Sequence, residues 1–258
     1  MHWILQNNLF GEAEWERLVA TLERFELPYS VHKVIPFVGE LEPVPVLKAE
    51  KAVCFGSYSM RHFARAQSLN PGVYDLFQQD FRVQLSAWGE RMLNADSSVV
   101  AFEHVRLTEP AFIRPIDDSK YFAGRVFDVD EFETWQRQVC ELGEDYGFSL
   151  SPGTLVQLCV PKVIHAEYRY WIVDGEIVTQ SLYKSGRRVI YSAHVDERVN
   201  RFVRDVIAIW QPHRAFVVDV CDTPEGLRIV EINTINSAGF YAGDVQRLVA
   251  ALEALEGA

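Results

Sequence analysis

The stretch AFVVDVCDTPEGLRIVEIN, residues 215–233, decides how the chain is read. Two apolar runs, Ala215–Cys221 and Leu227–Asn233, flank Thr223-Pro224-Glu225-Gly226, where proline presets φ and glycine tolerates a tight reversal. The pattern predicts a β-hairpin whose turn, centred near Pro224 and Glu225, sets Asp219 about opposite Glu231. Alternation along the strand then puts Asn233 on the same face, among positions otherwise filled by Val, Ile and Phe. Facing carboxylates repel unless a cation lies between them, and Mg2+ takes oxygen ligands that it shares with phosphates. Asp219, Glu231 and Asn233 are therefore candidate metal ligands, although an exposed strand face carrying ordinary surface acids fits the same residues. The small, polar run Thr234-Ile235-Asn236-Ser237-Ala238-Gly239 that follows is suited to approach a ligand through its backbone.

Upstream segments supply positive charge. Ala111–Pro115 is a strand that delivers Arg114 to a polar loop, Asp117-Asp118-Ser119-Lys120, which ends at Gly124. Arginine offers a planar fork to phosphate or carboxylate and lysine a compact charge, so Arg114 and Lys120 are candidate anion contacts; pairing with Asp117 and Asp118 on a solvated loop is the plain alternative. Along Glu167–Val173, Glu167, Arg169 and Trp171 alternate with Tyr168, Tyr170 and Ile172. A guanidinium on a buried face needs an anionic partner, for which Glu167 and a phosphate are both candidates. Lys184, Arg187 and Arg188 follow on the next segment, where a solvated turn is the default reading. Leu155–Val160 is an apolar strand ending at Pro161; it is either a plain core strand or one whose backbone meets an adenine edge.

Other chemistries lack their marks. No G-x-G-x-x-G follows the first strand, and no G-x-x-x-x-G-K-[ST], G-x-S-x-G, H-R-D or D-F-G signature occurs. The seven histidines show no metal-ligand spacing, and Cys54, Cys140, Cys159 and Cys221 form no C-x-x-C pair. A net charge of −11 argues against a nucleic-acid surface, and no apolar window of membrane-spanning length is present. The free thiols and the lack of a signal-like start predict a cytoplasmic protein.

The element pattern predicts an α/β chain. Strands at residues 2–6, 29–36 and 52–55, with helices at Glu12–Phe25 and from Gly56-Ser57 to Gln67, suggest a small parallel α/β unit over residues 1–105, with a turn at Asn70-Pro71-Gly72. Residues 106–258 form the second unit. It holds a helix at Asp130–Leu142 with Asp130 as N-cap, a strand pair joined at Asp174-Gly175, a helix at Asp196–Trp210, the hairpin, and a last helix at Asp244–Leu255.

In order and spacing, Ile113-Arg114-Pro115 with Lys120 and Gly124, Glu167-Tyr168-Arg169, and Glu231-Ile232-Asn233 resemble the ATP-grasp superfamily over about residues 106–245. They look most like a divergent clade of bacteria and phages, named for its arginines and lysine, which includes a eukaryotic cell-division-cycle protein that helps assemble a translation initiation factor. The resemblance implies an ATP-grasp fold, two lobes gripping ATP behind a small α/β domain. It implies Mg2+ on Asp219, Glu231 and Asn233, ATP phosphates on Lys120, and Arg114 and Arg169 steadying the γ-phosphate or an acyl phosphate. Gln157, Leu158, Cys159 and Val160 would flank the adenine, with Lys184 a further phosphate contact. The implied activity joins a carboxylate to an amine, with peptides or proteins among the acceptors; the implied alternative is an ATP-binding assembly factor that ligates nothing. The glycine-rich loop of many ATP-grasp enzymes is reduced here to Gly124, and no second lysine precedes the adenine strand between Ser149 and Val156.

Overall fold

The computed structural model describes residues 1–7, 14–35, 39–117, 119, 121–142 and 150–257. Three sheets carry the chain. The first contains β1 (His2–Gln6), β2 (Tyr29–Ile35), β3 (Glu40–Glu42), β4 (Ala52–Phe55) and β5 (Pro71–Gly72), in the order β3-β2-β1-β4-β5. Its pairings are parallel except β2 with β3. The second, antiparallel throughout, contains β6 (Ser98–Ala101), β7 (Ala111–Pro115), β8 (Arg125–Phe127) and β9 (Leu155–Cys159), in the order β6-β9-β7-β8. The third, also antiparallel, contains β10 (Ala166–Val173), β11 (Glu176–Ser185), β12 (Arg188–Ser192), β13 (Ala215–Thr223) and β14 (Gly226–Asn233), in the order β12-β11-β10-β13-β14.

The helices are α1 (Glu14–Arg24), α2 (Met60–Ala66), α3 (Phe81–Trp88), α4 (Val129–Leu142), α5 (Glu197–Ile209) and α6 (Val245–Gly257). Every residue of β1 is buried, as befits a parallel strand covered on both faces. Trp3 and Leu5 meet Leu18 and Leu22 of α1 and Leu248 and Leu252 of α6, while Ile4 and Cys54 meet Met60 and Phe63 of α2. The first of these cores also takes in Trp171 and Val217, so α6 packs between the first and third sheets. The opposite face of the third sheet, Tyr170, Ile172, Val218 and Ile232, packs on Val199, Val203 and Val206 of α5.

The β10–β11 reversal puts Asp174 at φ 50° and Gly175 at φ 78°, the two left-handed residues that a tight hairpin of natural twist requires. Other segments differ from the sequence reading. Pro71–Gly72 pairs with β4 as a short strand and is not merely a turn. The α4 helix starts at Val129, so Asp130 lies in its first turn and is no N-cap; the Asp128 carbonyl accepts the first helical bond, from Phe132. Ser98–Ala101, read with the N-terminal unit, pairs with β9 in the second sheet. Arg188, expected on a solvated turn, begins the edge strand β12. Part of the expected first helix, residues 12–13, and Pro36 of the second strand lie outside the described residues. No helix among the described residues is long and apolar enough to cross a membrane.

A buried polar relay ties β1 to β2. His2 Nδ1 accepts from the Lys48 backbone N–H at 3.2 Å, which leaves Nε2 to donate to Ser30 Oγ at 2.8 Å. The Ser30 hydroxyl donates to His32 Nε2 at 2.6 Å, and His32 Nδ1 donates to the Pro43 carbonyl at 2.5 Å. His2 satisfies this chain only as a neutral imidazole, because its Nδ1 accepts. Burial lowers both pKa values, with the Lys48 charge adding to the effect at His2 and the Pro43 bond opposing it at His32. Folded pKa values below the unfolded value of about 6.5 mean stability that is present above that pH and lost as pH falls through the folded values. The thermal midpoint is therefore expected to drop between pH 7.5 and 5, and His32→Gln should flatten that drop; an equal slope in wild type and variant would refute the relay's role.

Candidate active site

The hairpin builds the acidic half of the site through an irregular register. Its strands pair Thr223 with Gly226, Asp222 with Leu227, Cys221 with Arg228 and Val220 with Ile229, and then Asp219 with Glu231. Val230 is a bulge residue with no partner in that ladder, so Ile229 and Glu231 point to opposite faces although they stand two apart. Ile229 and Ile232 enter the α5 core, while Glu231 and Asn233 join Asp219 on the other face. A bulge-free ladder running from the same turn would have set Asp219 against Val230 and turned Glu231 away.

Arg169 on β10 lies directly across from Asp219 and grips it with both ends of its fork: Nε donates to Oδ1 at 2.8 Å and Nη2 to Oδ2 at 2.7 Å. The residues are 8% and 1% exposed, so this is a buried ion pair. Its anionic partner is thus Asp219 and not Glu167, because β13 and not the same strand supplies the nearest carboxylate. Burial works against the Arg169 cation, but the Asp219 charge and its hydrogen bonds outweigh it and raise the guanidinium pKa. Burial also pushes the Asp219 carboxyl up, with Arg169 pulling it down and the charges of Glu231 and Glu167 adding to the rise. The Arg169 guanidinium stands 4.7 Å from the Tyr241 ring and 5.7 Å from the Tyr183 ring, and those rings stack on each other with centroids 5.1 Å apart.

Asn233 Nδ2 donates to Asp219 Oδ2 at 3.2 Å and to Glu231 Oε1 at 3.1 Å. A positive donor end thus sits where the two carboxylates converge. The two ends of a carboxamide are interchangeable in shape, and the reversed amide would present Oδ1 there, giving three hard oxygen donors around one point. The donor set fits Mg2+. No cluster of three or more His, Cys, Asp or Glu side chains able to hold a metal occurs among the described residues.

Arg114 projects from β7 across to this hairpin, its Nη1 donating to Glu231 Oε2 at 2.6 Å. Along β7, Ala111, Ile113 and Pro115 are buried, and Phe112 and Arg114 face a cavity of about 520 Å³ between the second and third sheets. Gly124 also lines it, and a Cβ there would come within 2.8 Å of Arg114 Cβ, so only glycine permits this approach of strand and loop. Opposite, Lys184 donates to Glu167 Oε1 at 2.5 Å and the Tyr183 hydroxyl to Glu167 Oε2 at 2.9 Å. Burial, with the charges of Asp219 and Glu167, pushes the Tyr183 phenol well above its ordinary range and keeps it a donor.

The expected residues fall into three groups. Arg114, Lys184 and Glu231 line the cavity, and Asp219, Asn233 and Arg169 are linked to Glu231 by the bonds above. Gln157, Leu158 and Cys159 do not line it. β9 pairs with β6 on one side and β7 on the other, so its backbone groups are spent within the sheet, and the cavity is lined beyond the end of β9, by Pro161, Lys162 and Ile164. Val160 is exposed outside the lining, and Lys120 lies outside the described residues. Sequence reasoning missed Phe112 and Tyr183 as lining residues. Phe112 carried a usable signal, standing two residues from Arg114 on a strand.

No curated protein matches the chain by sequence. Among solved structures, the D-cycloserine synthetase DcsG superposes with a TM-score of 0.66 at 14% identity, over 99% of this chain and 100% of the other. D-alanine–D-alanine ligase from Bacillus anthracis complexed with ATP gives 0.61 at 12% identity, over 99% and 97%. The ATP-grasp ligase PsnB complexed with a minimal precursor gives 0.58 at 11% identity, over 99% and 98%. These likenesses establish the ATP-grasp fold. The family model for an ATP-grasp domain, family 3 of the clade named for its arginines and lysine, matches residues 57–252, three quarters of the chain, and the chain belongs to that family.

Proposed function

We propose that the chain is an Mg2+- and ATP-dependent ligase that joins a carboxylate to an amine through an acyl phosphate. The observation that carries this reading is the Arg114–Glu231 bridge, which brings a cation from the second sheet onto the acidic hairpin of the third, across a cavity large enough for a nucleotide. Arg114, Arg125, Lys162 and Lys184 line that cavity, and each is held by a carboxylate, of Glu231, Glu131, Asp96 and Glu167 respectively. Phosphate oxygens would take the place of those carboxylates on Arg114 and Lys184, with Lys120 a further phosphate contact. Phe112, Ile164 and Pro161 offer the apolar wall for the base.

Asp219, Glu231 and Asn233 hold the metal in this reading. Mg2+ when bound neutralises charge on the phosphates during transfer. The paired Asp219 fixes the plane of Arg169, so that its charge faces the developing anion without rearrangement. ATP in one structural neighbour supports the nucleotide, and the minimal precursor in another supports a second substrate beside it.

The test is calorimetry of ATP binding with and without Mg2+. Asp219 is spared, because its removal would strand Arg169. Glu231→Gln keeps the shape and removes one charged ligand, a change of about 1.5–3 kcal/mol for contacts of this kind. The ratio of ATP affinity with metal to that without is expected to fall about tenfold or more, and an unchanged ratio would sink the metal assignment. ADP release that requires an added carboxylate and amine distinguishes the ligase from an assembly factor, which would retain ATP without turnover.

A further inference from the structure

A small space lies where β4 runs toward α2 and meets the segment after β14. It measures about 10 Å³, room for one water-sized group, and Ser57, Tyr58, Arg61, Asp75, Thr234 and Ser237 are among its walls. Two of these residues carry buried polar atoms without a hydrogen-bond partner: Thr234 Oγ1, on a residue 5% exposed, and Arg61 Nε and Nη1. The Arg61 side chain is 12% exposed, and its closest carboxylate, Asp75, stands 3.9 Å from Nη1, outside hydrogen-bonding reach. Asp75 is engaged elsewhere, by the Arg65 guanidinium and by the backbone N–H of Phe77.

The surroundings orient Arg61 without satisfying it. Its guanidinium lies 3.7 Å over the Tyr58 ring and 4.7 Å from that of Phe77. Rings hold a guanidinium by its faces, whereas its N–H groups point in the plane and call for an anion there. Unspent donors on a buried cation are costly, and a buried hydroxyl with no partner adds to that cost.

The two walls are rigidly joined. Gly56 N donates to the Asn236 carbonyl at 3.0 Å, Asn236 Nδ2 donates to the Cys54 carbonyl at 2.7 Å, and Tyr74 N donates to Asn236 Oδ1 at 2.8 Å. Thr234 directly follows Asn233, so its Cα is about 3.8 Å from that of the proposed metal ligand.

We propose that this space takes a carboxylate oxygen of the amine-bearing substrate, an α-amino acid. Arg61 supplies the charge and Thr234 the hydroxyl donor, and the amine is thereby held toward the Asp219–Glu231–Asn233 hairpin. The size of the space admits only the carboxylate end, so the side chain of the acceptor lies outside it. This assignment rests on the ligase reading above.

The experiment follows ADP release by the full chain with Mg2+, ATP and a constant mixture of N-acetyl-α-amino acids as carboxylate donors, first with the mixed α-amino acids as amines and then with the same amines as α-carboxamides. Release is expected with the acids and at least tenfold less of it with the amides, as befits loss of a charged hydrogen bond. Arg61→Met is expected to raise KM for the acids about tenfold or more and to bring acids and amides within a few fold of each other; Thr234→Val should raise KM severalfold. Equal release with acids and amides overturns this proposal and leaves the ligase standing. Release with neither overturns the ligase reading and this one with it. If Arg61→Met does not fold, Thr234→Val decides alone, and an unchanged KM for the acids overturns the proposal.

Discussion

Replacing Arg169 with methionine is expected to lower stability by about 3–5 kcal/mol, the usual cost of removing one partner from a buried ion pair. Asp219 would keep its carboxylate at 1% exposure, with Glu231 facing it across the hairpin and no guanidinium beside it. The variant should also acquire a pH dependence of definite sign. Burial and the neighbouring acids already push the Asp219 carboxyl up, and without Arg169 nothing of comparable strength opposes them. A carboxyl whose folded pKa lies above its unfolded value favours the fold at low pH and loses that contribution as pH rises through the folded value. The deficit of Arg169→Met should therefore be smallest in acid and largest at neutral pH. Denaturant midpoints across pH measure it, and a neutral-pH loss below about 1 kcal/mol would show that the pair carries little. Adding Asp219→Leu should recover most of the loss, because an apolar pair of similar volume replaces an uncompensated charge.

Asn236→Leu is expected to have the next largest effect, about 2–5 kcal/mol. Asn236 is 4% exposed, and its carboxamide satisfies the Cys54 carbonyl and the Tyr74 amide together. Both backbone groups would be left buried and unpaired, at about 1–3 kcal/mol each. Asn236→Asp separates the two bonds, since a carboxylate still accepts from Tyr74 but cannot donate to Cys54. Urea midpoints give the total, and hydrogen exchange at the Tyr74 amide resolves it, with faster exchange in the leucine variant than in the aspartate one. Equal protection in both would place the stabilisation elsewhere.

What the sequence reveals of this fold is what repeats over short distances. Asp174-Gly175 and Thr223-Pro224-Glu225-Gly226 announce their reversals through residues that tolerate the required φ, and Trp3-Ile4-Leu5 gives β1 a short apolar centre. The acidic face of the hairpin was legible only to within a residue: the turn sets Asp219 near Glu231, but regular counting from it pairs Asp219 with Val230, and the bulge that restores Glu231 to the shared face left no mark in the sequence. What was not legible depends on which strand lies beside which. Nothing local to Arg169 says that β13 is its neighbour, so its pairing with Asp219 could not be read, and Glu167 or a phosphate stood in its place. The central position of β9 likewise comes from pairing with residues 98–101 and 111–115, and it withdraws Gln157, Leu158 and Cys159 from the cavity. Arg61 gave no signal at all. Its interest arises from two aromatic rings and a carboxylate 3.9 Å away brought together by folding.

The unpaired Val230 has a consequence for the hairpin as a device. Because the pairs on either side of it, Val220 with Ile229 and Asp219 with Glu231, are those of an ordinary ladder, a chain lacking Val230 could keep every one of them. The acids owe their shared face to their partners across the ladder and not to their count from the turn. A hairpin built this way is length-tolerant: it can lose a residue, or carry one as slack, while core and chemistry stay on their own sides.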